Sequence, residues 1–227
     1  MPFDATDGEN AGRDRGPALL FHVCGLVGMA GCVAVTLANV VGVIVQPRDG
    51  LIADTISDLA AGRYAIIMDL GLYAFAIGIV AAAIGLRRLR PGRWSWTVAS
   101  WLLTLMAVLI VVIGAYGEYG DNDTGGLVIH FPVVVAMAVS FTAAALLTAA
   151  GFHRRRRRWL WFNIICAGLW VLGAAAFWFS PTSIDGLVER GVGLVCVVWL
   201  FAVSRLLIAR AKGGAAWLST PGAPSRT

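Results

Sequence analysis

The sequence is short of charged residues, histidine and cysteine, and each shortage narrows the class of protein. Charged residues make up only 14% of the 227 residues, whereas hydrophobic residues make up 59%. Soluble domains carry about 25% charged residues, so a soluble globular domain is excluded. The composition predicts an integral membrane protein.

The scarcity of cysteine and histidine argues against redox and metal chemistry. All four cysteines lie in apolar stretches without a CxxC pair and are expected to pack as small apolar side chains: Cys24, Cys32, Cys166 and Cys196. Zinc prefers histidine and cysteine, and His130 is the one histidine on the acidic side of the chain. The DNDTG segment at 121–125 resembles a calcium loop, but Pro132 stands where that loop needs glutamate. We therefore expect no metal and no cofactor.

Common enzyme motifs are also absent from the sequence. GxSxG, HExxH and glycine-rich phosphate loops do not occur. The sequence consequently assigns no catalytic residue.

Six apolar stretches are long enough to cross a bilayer, which takes about 20 helical residues for about 30 Å of hydrocarbon. They lie at residues 18–46, 65–86, 94–116, 128–151, 159–179 and 187–208. Because backbone groups inside lipid must satisfy one another, helices are the expected structure. The sequence therefore predicts an all-α fold, a bundle of six transmembrane helices in one domain at residues 17–209. The polar segments 1–16 and 210–227 are predicted to be disordered cytoplasmic tails.

The basic residues determine the predicted orientation, since lysine and arginine beside span ends stay cytoplasmic. Of the 18 basic residues, 15 lie at one end of the predicted bundle, and Arg48, Arg63 and Arg190 lie at the other. We therefore expect a multi-pass protein of the plasma membrane with both termini in the cytoplasm.

The net charge of +5 comes from arginines beside span ends rather than from a nucleic-acid-binding module, so no nucleic-acid partner is expected. Five consecutive arginines follow the fourth span: Arg154, Arg155, Arg156, Arg157 and Arg158. Two interpretations stay open, a cytoplasmic anchor or a binding site for anionic lipid headgroups. Membrane lipids are the expected partners, and the sequence identifies no protein partner.

The exterior loop between the first two spans reads QPRDGLIADTISDLAAGRY. Its apolar residues recur at helical spacing, which predicts a short helix lying along the membrane interface: Leu51, Ile52, Ile56 and Leu59. Thr55 or Ser57 can cap this helix, and Asp58 suits its positive start. Asp54 is expected to be solvated at the interface.

Asp69 lies about five residues into the second span. A carboxylate at that depth is unfavourable unless it faces a partner, water or the bundle interior, so function is the first hypothesis for it. Candidate partners at similar depth are Asn39, His130 and Arg190. A structural hydrogen-bonded pair and a ligand, proton or metal role both remain open.

The ionisable residues at the exterior end form a candidate ligand-binding pocket. It comprises Ser57, Asp58, Asp69, His130, Glu189 and Arg190. His130 is either a boundary residue that hydrogen-bonds locally or a group that exchanges protons near neutral pH. Glu189 and Arg190 either pair with each other or reach across the bundle.

Three segments carry a family likeness: TISDLAAGRYAIIMDLGLYAFAIGIVAAAIGL at 55–86, the histidine that opens span four, and GLVERGVGLVCVVWLFAVSRLL at 186–207. Together they resemble the six-span bacterial membrane proteins grouped as domain of unknown function family 998, over most of residues 18–208. The ISDL element is also similar, more weakly, to the FRAG/DRAM/Sfk membrane proteins. The resemblance implies a six-helix bundle with an exterior Ser-Asp element before span two, and it implies no reaction.

Two functions from different classes fit these observations. The first is a non-enzymatic protein whose exterior pocket binds a lipid headgroup, a small molecule or a partner. The alternative is a membrane-embedded hydrolase or transferase in which Asp58 or Asp69 acts with His130 in acid–base catalysis. That mechanism requires His130 within hydrogen-bond reach of an aspartate, directly or through one water. A proton-coupled transporter ranks below both, because the inner half lacks a continuous polar path.

Overall fold

The computed structural model describes residues 6–45, 52–61, 63–89, 94–116, 130–152 and 156–213. Within these ranges the chain forms seven helices and no strand. They are α1 Thr6–Val45, α2 Ile56–Ala61, α3 Ala65–Leu89, α4 Trp94–Tyr116, α5 His130–Phe152, α6 Arg157–Trp178 and α7 Asp185–Gly213.

Six of the helices in the described ranges are long and apolar enough to cross a membrane. Their membrane-length parts are Gly16–Val45, Ala65–Leu89, Trp94–Ala115, His130–Phe152, Arg157–Trp178 and Asp185–Gly213. The predicted all-α fold with six spans is confirmed. The separation into a membrane domain and two disordered tails stays a prediction, and the helices as described overlap both tails, since α1 begins at Thr6 and α7 ends at Gly213.

The six long helices form a ring in which each helix packs on its neighbours in the chain, and α7 closes the ring against α1. The short helix α2 contacts α1, α3 and α7. It therefore lies across one end of the ring, which we call the α2 end. The opposite end carries Arg87, Arg88, Arg157, Arg158 and Arg210, and we call it the arginine end.

Glycine allows α1 and α3 to approach closely. A methyl group on Gly31 would lie 2.7 Å from the carbonyl oxygen of Ala74 and 3.2 Å from Cα of Phe75. Both are backbone atoms, which cannot move aside as the end of a flexible side chain can. The α1–α3 contact therefore depends on the missing side chain at Gly31.

The arginine end of the bundle is filled with aromatic rings. Trp96 of α4 meets Phe152 of α5 at a centroid distance of 5.1 Å, and Phe152 stacks on Trp159 at 5.7 Å. Deeper in the bundle, the fully buried Asn163 accepts the indole N–H of Trp199 at 2.8 Å and donates to the carbonyl of Trp159 at 2.8 Å. The amide is satisfied on both sides, as a polar group in an apolar interior requires.

We predict that Gly31→Ala lowers the free energy of unfolding by about 1–3 kcal/mol, because overpacking against backbone forces the two helices apart. The thermal unfolding midpoint in detergent measures the effect. Gly168→Ala is the matched control, since nothing lies within 4 Å of the added methyl group there. Equal midpoints for the two variants would contradict the close-contact account of α1 and α3.

Candidate functional site

Helix α2 begins with a reciprocal cap between Thr55 and Asp58. The backbone N–H and the hydroxyl of Thr55 both donate to Oδ2 of Asp58, each at 2.7 Å. The backbone N–H of Asp58 donates in return to the hydroxyl of Thr55 at 3.0 Å. This is the pattern of a capping box, so the predicted capping role of Thr55 and Asp58 is confirmed.

Glu189 of α7 holds the first turn of α2. Its Oε2 accepts the backbone N–H of Ile56, and its Oε1 accepts the hydroxyl of Ser57 at 3.3 Å. The first N–H groups of a helix have no partner within the helix, and a carboxylate satisfies them while matching the helix dipole. Glu189 therefore fixes α2 to α7.

Ser57 also contacts α5, so that three helices meet at its hydroxyl group. Its Oγ lies 3.4 Å from Nε2 of His130, the first residue of α5. We call Ser57, His130 and Glu189 the Ser57 cluster. The structure thus unites three of the six predicted pocket residues around one hydroxyl group.

Arg190 extends in a different direction from its neighbour Glu189. Its Nε donates to Oδ1 of Asn39 on α1 at 3.1 Å, and its guanidinium also donates to the backbone carbonyl of Asp54. The carboxylates of Glu189, Asp54 and Asp58 attract its positive charge. Arg190 therefore ties α1 and the segment before α2 to α7.

The segment before α2 packs directly on the start of α7. The backbone N–H of Leu187 donates to the carbonyl of Ile52 at 2.9 Å. A side chain on Gly186 would lie 2.9 Å from the carbonyl carbon of Ala53, so only glycine permits this approach. Asp54, predicted to be solvated, is only 6% exposed. That prediction was wrong because the backbone of Asp54 is held against α7 by Arg190.

Asp69 of α3 is half-buried, and its Oδ1 is buried without a hydrogen-bond partner among the described residues. Its predicted partners bond elsewhere: Asn39 with Arg190, and His130 with Ser57. The predicted pairing is therefore wrong at this oxygen. One turn along, Tyr73 lies against Gly114 of α4, so this face of α3 turns toward α4.

Toward the α2 end, Nδ1 of His130 and Nδ2 of Asn39 are also buried without a hydrogen-bond partner among the described residues. Elsewhere in the described chain the same holds for side-chain atoms of Thr142, Trp170, Ser204 and Arg210. Unsatisfied buried polar atoms are rare in folded proteins and need an explanation. Asn39 was considered in the sequence only as a partner for Asp69. The signal in the sequence that points to its contact with Arg190 is a polar amide inside an apolar span, at the same depth as that arginine.

The order of contacts in the Ser57 cluster differs from that of a nucleophilic site. In a serine–histidine–acid arrangement the acid accepts the N–H at the far ring nitrogen of the histidine. Here Glu189 accepts from Ser57 instead, and Nδ1 of His130 is the unsatisfied atom. The arrangement suits the fixing of α2 better than the activation of Ser57.

Some predicted features fall outside the described residues. These are Arg154 and Arg155 of the arginine run, Leu51 of the interfacial helix, and the 121–125 segment. Within the described ranges, no three histidine, cysteine, aspartate or glutamate side chains converge as metal ligands would. The expectation of no metal stays a prediction.

We predict that Glu189→Gln destabilises the docking of α2 by about 1.5–3 kcal/mol, the range for hydrogen bonds that involve a charged group. Amide hydrogen exchange should then speed up across residues 52–61. The control is Asp185→Asn, because among the described residues Oδ1 of Asp185 accepts from the adjacent N–H of Gly186, at 2.8 Å, and from no other group. If exchange across this segment were unchanged in Glu189→Gln, the carboxylate would not be what holds α2.

Comparison with known proteins places this architecture in a family. A family model described as "Protein of unknown function (DUF998)" matches residues 26–206. No curated protein and no solved structure matches the chain. The matched region contains α2 to α6, half of α1, most of α7, and all three residues of the Ser57 cluster. The weaker likeness to FRAG/DRAM/Sfk proteins stays a prediction. Because the match covers well over half of the chain, the protein belongs to the DUF998 family of proteins of unknown function.

Proposed function

We propose that this protein is a non-enzymatic component of the plasma membrane whose α2 end faces the exterior and binds a lipid headgroup or another small polar molecule. Both termini then lie in the cytoplasm. The arginine end supports this orientation, because lysine and arginine beside span ends stay cytoplasmic. The proposal is consistent with two findings: six helices are long and apolar enough to span a bilayer, and the family is one of unknown function.

One observation carries the binding proposal: three helices each leave a buried polar atom unsatisfied toward the α2 end. The atoms are Nδ2 of Asn39 on α1, Oδ1 of Asp69 on α3 and Nδ1 of His130 on α5. A buried polar group without a partner costs about 1–3 kcal/mol. A ligand that supplies hydrogen-bond donors and acceptors removes that cost, which links its binding to the stability of the bundle.

The charge of the α2 end limits the chemical classes of ligand that can bind there. Toward the α2 end the described chain carries five carboxylates, Asp54, Asp58, Asp69, Asp185 and Glu189, and two guanidinium groups, Arg63 and Arg190. An excess of negative charge favours ligands that carry a positive group. An anionic phosphate without an amine is disfavoured at this end.

The arginine end has the opposite charge, and there we propose that the run at 154–158 contacts anionic lipid headgroups. Arg157 and Arg158 are exposed, as such contacts require. Each arginine near an anionic membrane surface contributes about 1 kcal/mol. This contact anchors the protein and is separate from the polar site at the α2 end.

The hydrolase or transferase alternative draws support from one contact, the 3.4 Å between Ser57 and His130. Among the described residues no carboxylate orients the imidazole, because Glu189 binds Ser57 and the hydrogen bond of His130 goes to a hydroxyl group. Binding therefore accounts for more of the geometry than acid–base catalysis does.

We predict that gently purified protein retains a bound small molecule in native mass spectrometry, and that Asp69→Asn and His130→Ala each reduce its occupancy at least about tenfold. Each substitution removes or alters one of the atoms that the ligand would satisfy. Thr36→Val serves as the control, because the Thr36 hydroxyl donates within its own helix, to the carbonyl of Cys32 at 2.8 Å.

The same bound mass in wild type and both variants would overturn the binding proposal. A lower unfolding midpoint of Asp69→Asn in detergent, with no ligand bound to any of the proteins, would assign Asp69 a purely structural role.

A further inference from the structure

Three helices meet at an aromatic floor in the middle of the bundle. Phe141 of α5 lies 4.8 Å from Trp170 of α6 and 5.6 Å from Trp199 of α7, measured between ring centroids. All three rings are buried. The floor marks a change in packing, because the two halves of these helices differ on either side of it.

Helix α5 shows the change most clearly. Residues three, four and seven positions apart share a helix face, so Val134 and Met137 lie on the same face as Phe141. Toward the arginine end the equivalent positions Ala145 and Thr148 are 0% and 1% exposed. Toward the α2 end Val134 is 37% exposed and Met137 is half-buried. The inward face of α5 is therefore less buried beyond Phe141, although Met137 still packs against the edge of the core.

The two neighbouring helices change in the same way. On α6 the inward face continues from Trp170 to Ala174 and Phe177, both half-buried, whereas Cys166 and Asn163 on the other side of the floor are buried. On α7 the face that carries Trp199 is still buried at Cys196, and beyond it Val195, Val192 and Val188 are half-buried, whereas Val203 and Leu207 are buried. Between the floor and the α2 end, no residue of 130–139, 171–178 or 187–195 is buried.

Contacts at the rim place this space inside the ring. Phe131 of α5 meets Trp178 of α6 at 5.1 Å between centroids. A side chain on Gly173 of α6 would lie 2.6 Å from Val192 of α7. Since α6 is held to both neighbours, the half-exposed faces border an internal space, which we call the α5–α7 crevice. His130 lies on the same face of α5 as Val134 and Phe141, at the α2 end of the helix, and so at the mouth of the crevice.

The dimensions and chemistry of the crevice fit one lipid chain. His130 and Phe141 are eleven residues apart on one helix, which corresponds to a depth of about 16 Å. That is about half of the roughly 30 Å of hydrocarbon in a bilayer, and so the depth of one leaflet. The lining below the mouth is apolar: Val134, Met137, Ala174, Phe177 and Val192. An apolar space of this kind excludes water and accepts alkyl groups.

We infer that the α5–α7 crevice holds one alkyl chain of a membrane lipid whose headgroup carries an ammonium group. The inference rests on the proposed function, because it places the headgroup at the Ser57 cluster. The carboxylate of Glu189 lies at the mouth, where it accepts hydrogen bonds from α2 and Ser57 and faces the positive charge of Arg190. The described carboxylates toward the α2 end outnumber the guanidinium groups, and this excess favours a cationic headgroup. The unsatisfied Nδ1 of His130 supplies a second polar contact for the same headgroup.

Native mass spectrometry with defined lipids tests the inference on the full chain. Dioleoylphosphatidylethanolamine is the probe, and dioleoylphosphatidylglycerol has the same chains with an anionic headgroup. We expect one molecule of the ethanolamine lipid per protein, at an occupancy at least about tenfold above that of the glycerol lipid. Equal occupancy of the two lipids would overturn the assignment of an ammonium headgroup.

Two pairs of variants test whether a chain occupies the crevice. Ala174→Trp fills it from α6, and Ala175→Trp places the same ring on the exposed side of that helix. Val134→Trp fills it from α5, and Val139→Trp, at a position that is 62% exposed, is its control. We expect the filling variant of each pair to lose lipid at least about tenfold relative to its control. If the filling variant and its control retain equal amounts of lipid in both pairs, the crevice is not the site of the chain.

Failure of the crevice and failure of the headgroup site are distinguishable. Lipid lost from Ala174→Trp and Val134→Trp but retained by His130→Ala would overturn the headgroup site and support the chain crevice. Lipid retained by both filling variants but lost from His130→Ala would overturn the crevice and leave the headgroup site standing. Loss in all three variants supports both.

Discussion

Two adjacent residues of opposite charge, Glu189 and Arg190, determine the organisation of the α2 end. They project from α7 in different directions: one binds the first turn of α2 and Ser57, and the other binds Asn39 and the carbonyl of Asp54. Buried charges are tolerated only when hydrogen bonds and opposite charges surround them. Glu189 therefore needs α2 in place and Arg190 needs the segment before it, and that segment in turn needs Gly186 to reach α7.

The six spans could be predicted from sequence because the bilayer imposes a length and a composition on every crossing segment. The cap of α2 could be predicted for a similar reason, since Thr55 and Asp58 are three residues apart and interact locally. Whether Asp69 pairs with Asn39, His130 or Arg190 could not be predicted. Pairing between helices depends on how each helix is rotated about its own axis and on its depth, and an apolar stretch specifies neither. The prediction that Asp54 is solvated was wrong for the same reason, because the burial of Asp54 depends on Arg190, which is distant in sequence.

The two ends of the bundle are built differently from similar residues. At the arginine end, large rings fill the space between helices, as where Trp96 meets Phe152. Toward the α2 end the inward positions of α5 are partly exposed, although Val134 and Met137 are larger than Ala145 and Thr148 on the dense side of Phe141. Side-chain volume along α5 therefore does not explain the difference in packing.

The buried Asn163 has a consequence for the floor of the crevice. Because Asn163 accepts the indole N–H of Trp199 and donates to the backbone of Trp159, rotation of the Trp199 ring would leave two polar groups unsatisfied in an apolar interior. The ring is thus held in one orientation. For the lipid chain that we infer in the crevice, a fixed floor limits the length of chain that can be buried.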